Sequence, residues 1–431
     1  MAIATKALRQ GAKRSIGRTR KTPQTRQNEL LFETRSPRER ELIEAVKRAL
    51  ATLSRERKEK EARGERLGSP LEILQKLMQG ELSAYSDLIL AQQGILPIRT
   101  DLMRQYVMYG EEATGEGESI PKSMARRKPA KFGLTAMGLA AIASGKDGRA
   151  RMLSEFLPQV AQGKLFCYCI TEPDAGTNTH RISTTAREVE DGYILNGRKT
   201  YISAADTAYY MVVIARIIKD GTDQGIGTFV IEKNTPGVTL TEMDIAVLGD
   251  RQFTVYFEDV KVPKSALVGA KSPTGSSKIS QSVFITLNLE RILVALVTLR
   301  ICKEALARIY KKLRGMKKVP EPILVELARL KLRFELANLL TLKATRAYDE
   351  NVELVRMGLF ANMAKLITTE TANECVLLGL RLYGLKGLDR EEEDLGALYE
   401  LARALRIIPI NNEMLLNFLG ENMLGMPKSY R

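Results

Sequence analysis

Four long amphipathic stretches close this chain: Lys278 to Arg314, Ile323 to Glu350, Val355 to Tyr383 and Glu391 to Leu424. Within each, apolar residues return every three or four positions, which gives a helix one oily stripe that it must bury. Short turns separate the stretches, so sequence neighbours run antiparallel and their stripes meet in a four-helix bundle. Just upstream the period changes to two. From about 165 to 270, MVVIARII (211–218), GTFVIEK (227–233), GVTLTEM (237–243) and FTVYFEDVKV (253–262) have strand length and strand composition. Gly, Asp and Pro punctuate them. The prediction is a small all-β domain of seven or eight strands, followed by the bundle.

The β region opens with Leu165 to Ser203, LFCYCITEPDAGTNTHRISTTAREVEDGYILNGRKTYIS. A short strand, Phe166 to Thr171, breaks at Glu172-Pro173-Asp174-Ala175-Gly176, where proline fixes φ and glycine relieves it. Two further strand-like segments follow, with turn signals at Glu190-Asp191-Gly192 and Asn196-Gly197. Small hydroxyls (Thr171, Thr177, Ser203) and an aromatic ring (Tyr201) fall close together in sequence. That group suits a flat, polar-edged ring better than a metal or a nucleophilic triad; a hairpin of any small barrel reads the pattern equally well.

The chain ahead of the β region reads as helical. Ser36-Pro37-Arg38-Glu39 is a capping box with proline at the first helical position, and Ser69 to Glu72 repeats the signal. Further helices are expected over 81–93, 99–109 and 133–144, with a loop at 111–131. The expected layout is mostly α with a central β-barrel: a basic flexible arm or targeting segment (1–28), an N-terminal helical domain (29–163), the β domain (164–270) and the bundle (271–431).

Net charge is +15, which suggests nucleic acid until it is located. Residues 1–66 hold 19 Lys and Arg against 9 Glu and no Asp, a net of +10. The basic excess therefore belongs to the N-terminal end and not to the later domains, which argues against a nucleic-acid face. Residues 1–28 have the composition of a mitochondrial transit peptide or of a basic arm. The cytoplasm is the expected compartment, with the mitochondrial matrix the alternative if that segment is an address. No apolar run reaches the roughly 18 residues of a membrane span, so a soluble protein is expected. Cys167, Cys169, Cys302 and Cys375 lack paired C-x-x-C spacing, so no metal site is expected and buried, reduced thiols are. A single histidine, His180, has no nucleophile motif beside it, so a base would be a carboxylate.

With these residues in view, the chain resembles the acyl-CoA dehydrogenases over about residues 150–431. CYCITEPDAGTN and LNGRKTYIS resemble the family's two flavin-binding motifs, with Tyr201 where a tryptophan is usual. VLGDRQFTVYFEDVKVPKSALVG resembles the end of its β domain, and TLNLERILVALVTL and ANMAKLITTETANECV resemble two helices of its bundle. The resemblance implies FAD as cofactor and α,β-dehydrogenation of an acyl-CoA substrate to the 2-enoyl-CoA. A carboxylate would take the α-proton while the β-hydrogen leaves as hydride to the flavin. Electrons would then pass to an electron-transfer flavoprotein. It further implies that Tyr168, Ile170 and Thr171 line the flavin ring, that Tyr201, Ile202 and Ser203 cover it, and that Thr177 and Arg291 lie toward the substrate.

In most of the family the base lies near the C-terminus, where this chain has Pro409, and proline cannot take a proton. The isovaleryl- and long-chain-type branch places it on the first bundle helix, just before an arginine; here that is Glu290, before Arg291. Glu413 is the other candidate. Arg314, Arg381, Gly384 and Gly387 correspond to groups that hold the FAD pyrophosphate and adenine across a dimer contact. One glycine of that motif is replaced by Leu385. A homotetramer or homodimer is the expected assembly. Two other readings stay open: a subunit of a heteromeric acyl-CoA dehydrogenase, and a non-catalytic, DNA-associated homologue.

Overall fold

A computed structural model describes Arg63 and residues 129–427, except 146, 248–249, 269–280 and 390–393. The basic arm, both capping boxes, the loop at 111–131 (apart from its last residues) and the helices expected before it lie outside the described residues. The described part opens with helix α1 (Pro129–Ala143), and a short helical run follows over 148–161 with a π turn at Met152–Phe156. Eight strands come next: β1 (Phe166–Cys169), β2 (Thr185–Val189), β3 (Gly192–Ser203), β4 (Tyr210–Lys219), β5 (Thr222–Glu232), β6 (Val238–Val247), β7 (Asp250–Pro263) and β8 (Leu267–Val268). Five bundle helices complete it: α2 (Gln281–Arg314), α3 (Glu321–Asp349), α4 (Leu354–Tyr383), α5 (Leu395–Ile407) and α6 (Asn412–Leu424).

The strands form one sheet in the order β6-β7-β3-β2-β4-β5-β8. β1 and β2 both lie parallel to β4, β1 against Tyr210 to Val213 and β2 against Arg216 to Ile218, so they follow one another along a single edge. Alternate residues of a strand point to opposite faces. In β1 this sends Cys167 and Cys169 into the barrel-side core and Phe166 and Tyr168 into a second core, shared with α1, α2 and α4. β1 is therefore buried on both faces, and it is the joint between sheet and helices. All four cysteines are free and buried.

Two local expectations are corrected. Asn196-Gly197 does not turn the chain; β3 runs straight through it with a bulge, paired with β7 on both sides. Gly197 there has φ +146°, and an added Cβ would lie 2.6 Å from Thr184 Oγ1. The pairing of a long strand overrules a local turn signal. The last bundle stretch is likewise two helices, α5 and α6, separated by a segment with a cis Ile408-Pro409 bond. Proline lacks the amide that would carry the helix on, and Asn411 caps the restart by accepting from the Met414 amide at 2.9 Å.

Candidate active site

Tyr168 reaches out of β1 and ends on α2, where its hydroxyl lies 2.8 Å from Thr286 Oγ1. The Thr286 hydrogen is already given to the Val283 carbonyl at 2.9 Å. A hydroxyl has one hydrogen, so Tyr168 donates and Thr286 accepts. Residues four apart share a helix face, which places Glu290 one turn beyond this joint. The two groups feel each other: burial pushes the Tyr168 phenol well up, the Thr286 bond opposes this, and Glu290's charge adds to it.

Glu290 is half-buried, and among the described residues no hydrogen bond or ion pair claims its carboxyl. Burial raises it to about 7, against the smaller downward pull of Arg291 and Lys365. Such a carboxyl exchanges a proton near neutral pH. Arg291 itself is buried, with Nη1 donating to Asn288 Oδ1 at 2.7 Å. The other candidate, Glu413, has a side chain 75% exposed and lies 3.9 Å from Arg406. A solvated carboxylate is no base for a dry cleft.

The sheet supplies the rest of the site. Thr171 is half-buried, and among the described residues its hydroxyl has no partner. Tyr201 sits at a second bulge of β3 with φ +57°, and the residue is 56% exposed. A bulky residue in that region of φ is strained and persists only where its surroundings insist on it. Ser203 donates to Gln252 Oε1 at 2.9 Å. Ile170 packs at the margin of the core that holds Tyr168. Thr177 is exposed on the arm after the turn. The Ile202 side chain is buried in the sheet core beside Phe253, which leaves its backbone to face a ligand.

Arg314, Arg381, Gly384 and Gly387 lie elsewhere. Thr286 and Arg314 stand 28 residues apart on one helix, about 42 Å at 1.5 Å per residue. Arg381 is held by Glu326 at 2.8 Å, and Gly387 is buried against Leu380 and Tyr383. One chain cannot bring these groups and Tyr168 to the same cofactor molecule.

Residues 167–260 match the family model for the acyl-CoA dehydrogenase middle domain, and residues 282–424 that for its C-terminal domain. Acyl-CoA dehydrogenase FadE12 of Mycobacterium tuberculosis is 35% identical over 294 residues, 66% of this chain and 74% of that protein. The chain belongs to the acyl-CoA dehydrogenase family. The human mitochondrial short-chain specific acyl-CoA dehydrogenase is 31% identical over 238 residues, 53% of this chain and 56% of that one. In fold, glutaryl-CoA dehydrogenase from Mycobacterium smegmatis superimposes with a TM-score of 0.66 over 92% of this chain and 97% of that one, at 20% identity. Like the rest of its family, this acyl-CoA dehydrogenase is an FAD-dependent oxidoreductase.

Its residues fit the cofactor at the ring end, where an outward tyrosine and an unclaimed threonine hydroxyl flank the sheet margin. They fit in part at the dinucleotide end. Gly384, at φ +59°, has open space where a Cβ would go, as close approach of a phosphate requires. Arg381 is spent on Glu326, and Leu385 is 86% exposed where the family has glycine.

Two buried lysines went unforeseen. Lys199 of β3 is completely buried and donates to Glu172 Oε1 at 2.7 Å and to the Ile170 carbonyl at 3.1 Å. Lys365 of α4, equally buried, donates to the carbonyls of Arg406 and Ile410 and to Asn412 Oδ1 at 2.7 to 3.1 Å. Lys199 stands inside LNGRKTYIS, so its motif was a signal left unused. Lys365 likewise stands inside ANMAKLITTETANECV, but a lysine on a helix reads as a solvated one.

Proposed function

We propose that this acyl-CoA dehydrogenase oxidises an acyl-CoA thioester to the 2-enoyl-CoA, with Glu290 as the base. The observation that carries the reading is an unclaimed carboxyl, raised to about 7, one helical turn from the Tyr168–Thr286 joint. Glu290 takes the α-proton; partial burial keeps it weakly solvated, so it is basic enough for the task and about half deprotonated at neutral pH. Arg291 lies next to it and limits how far its pKa climbs. Thr171, Tyr201 and Ser203 hold and orient the ring of FAD, which when bound supplies the hydride acceptor. Electrons then leave to an electron-transfer flavoprotein.

The chemistry also asks for an assembly. Because Arg314 lies about 42 Å along α2 from Thr286, the partner of Tyr168, each FAD would be shared between two chains of a homodimer or homotetramer. An open apolar groove between α3 and α4, lined by Leu336, Leu339, Leu340, Met363, Leu366 and Ile367, supports association. Leu385 and the Arg381–Glu326 pair favour a second reading, in which a different subunit completes the dinucleotide end.

The test is the absorption spectrum of the purified protein before and after a panel of acyl-CoAs, with native mass measured on the same sample. Bound flavin that bleaches in a homo-oligomer supports the first reading. Flavin retained only with a second polypeptide supports the other. Absence of flavin from every assembly would remove both.

A further inference from the structure

The buried pair Glu172–Lys199 does more than close a turn. Glu172 Oε1 accepts from Lys199 Nζ at 2.7 Å and from the Thr184 amide at 3.0 Å. Its Oε2 accepts from the amide and hydroxyl of Ser183, both at 2.7 Å. Lys199 spends a further hydrogen on the Ile170 carbonyl, and the next residue, Thr200, gives its amide to the Thr171 carbonyl at 2.9 Å. Two charges that are 0% and 3% exposed are thus held by five bonds, and the Thr200–Thr171 backbone bond beside them helps gather the end of β1, the turn, the start of β2 and the middle of β3. Burial works against both charges. At Glu172 the Lys199 charge, with the hydrogen bonds from Lys199, Ser183 and Thr184, outweighs it and holds the carboxyl down at about 2, while Lys199 is lowered only to about 8; the pair is ionised at neutral pH.

The position of Lys199 in its strand shows what the pair is for. In an unbroken strand, residues 199 and 202 would point to opposite faces. Here both side chains are buried, and the register against β7 shifts between them. The shift is the bulge at Tyr201, at φ +57°, which turns that ring outward. Ile202 is anchored on the far side of the bulge by Phe253, and Ser203 by Gln252. On the near side the anchor is Lys199. If it were released, the strand could shed its extra residue and the strained tyrosine would relax.

We propose that Glu172 and Lys199 are positioning residues: the ion pair locks the β3 bulge, so that Tyr201 is held out in line with Thr171 at the cofactor end of the site. The assignment rests on the proposed placement of FAD at Thr171 and Tyr201, whereas the lock itself is a property of the protein alone. The chain contains no tryptophan, so a Tyr201→Trp variant carries a single fluorescent reporter at the bulge. In that background the pair is replaced by near-isosteres, Glu172→Gln with Lys199→Met, which removes both charges together and leaves none buried alone. A second background, Lys199→Arg, retains the charge.

With the pair intact, the reporter is expected to show high steady-state anisotropy. In the neutral pair it should fall to less than half while cooperative thermal unfolding persists, and FAD titration should weaken at least tenfold. Lys199→Arg should recover part of both. Unchanged anisotropy in a folded neutral pair overturns the lock. If the neutral pair does not fold, Lys199→Arg decides alone, because intact anisotropy with tenfold weaker FAD binding would also overturn it. If FAD fails to bind even with the pair intact, the placement of the cofactor is wrong, and the anisotropy still reports on the lock.

Discussion

Replacing Glu290 by glutamine separates its two roles in one experiment. Its carboxyl ionises at about 7 in the folded chain instead of the ordinary 4.5. Between those values the unfolded chain releases its proton while the folded chain keeps it. Stability is therefore lost as pH rises through this window, and the full loss is felt above about 7. At roughly 1.4 kcal/mol per pH unit the gap is worth about 3 kcal/mol, and nearer 2 once water reaching a half-buried group is allowed for. Glu290→Gln should leave thermal stability unchanged at pH 4.5 and raise it by several degrees at pH 8. The assay is differential scanning fluorimetry of both proteins, loaded with flavin, across that range. The same variant should bind flavin and show no bleaching by acyl-CoA. In the parent, the bleaching rate should fall about tenfold per pH unit below 7. A stability difference that is the same at pH 4.5 and pH 8 would refute the reasoning, because Glu290 would then ionise as freely in the folded chain as in the unfolded one.

Other outcomes follow from residues outside the chemistry. Gly197→Ala should cost about 2–3 kcal/mol, since its Cβ would meet Thr184 Cα at 2.7 Å. Gly420→Ala, in open space on α6, should instead stabilise by about 0.5–1 kcal/mol; melting temperatures of the two distinguish them. Glu172→Gln, which strands Lys199, should cost about 3 kcal/mol near pH 7. Because Glu172 is held at about 2, its contribution is fully present above 4.5 and is lost as pH falls through 2. The gap in melting temperature to the parent should therefore narrow in acid. Lys365→Met removes the donor from three acceptors and should cost about 2–4 kcal/mol. Hydrogen exchange should show lost protection over 406–415 first.

The layout of the sheet and bundle was legible because strand and helix periods are strong over long segments, and the matched motifs fall where the sheet meets α2. What escaped was anything decided by distant partners. Asn196-Gly197 has the composition of a hairpin turn, yet β7, some sixty residues on, pairs through it. Pro409 was visible, but apolar spacing continues on both sides and hides the break between α5 and α6. Lys199 and Lys365 are buried because acceptors 27 to 47 residues away satisfy them, which no local pattern records. Glu290 was pointed to by the family resemblance, which places a carboxylate before an arginine on the first bundle helix; the residues alone said only that a base would be a carboxylate. The separation of Arg314 from Tyr168 is a matter of helix length, and sequence spacing states it only once the helix is known to run unbroken.

That unbroken helix is also a ruler. α2 carries Glu290 near one end and Arg314 at the other, 24 residues and about 36 Å apart. Each residue inserted between them would lengthen the span by 1.5 Å and, at 3.6 residues per turn, rotate one end by about 100° against the other. Inserting one alanine would therefore leave each end well formed but out of phase with its counterpart. Seven alanines, close to two turns, would nearly restore the phase while adding about 10 Å. The two insertions separate a demand for orientation from a demand for distance.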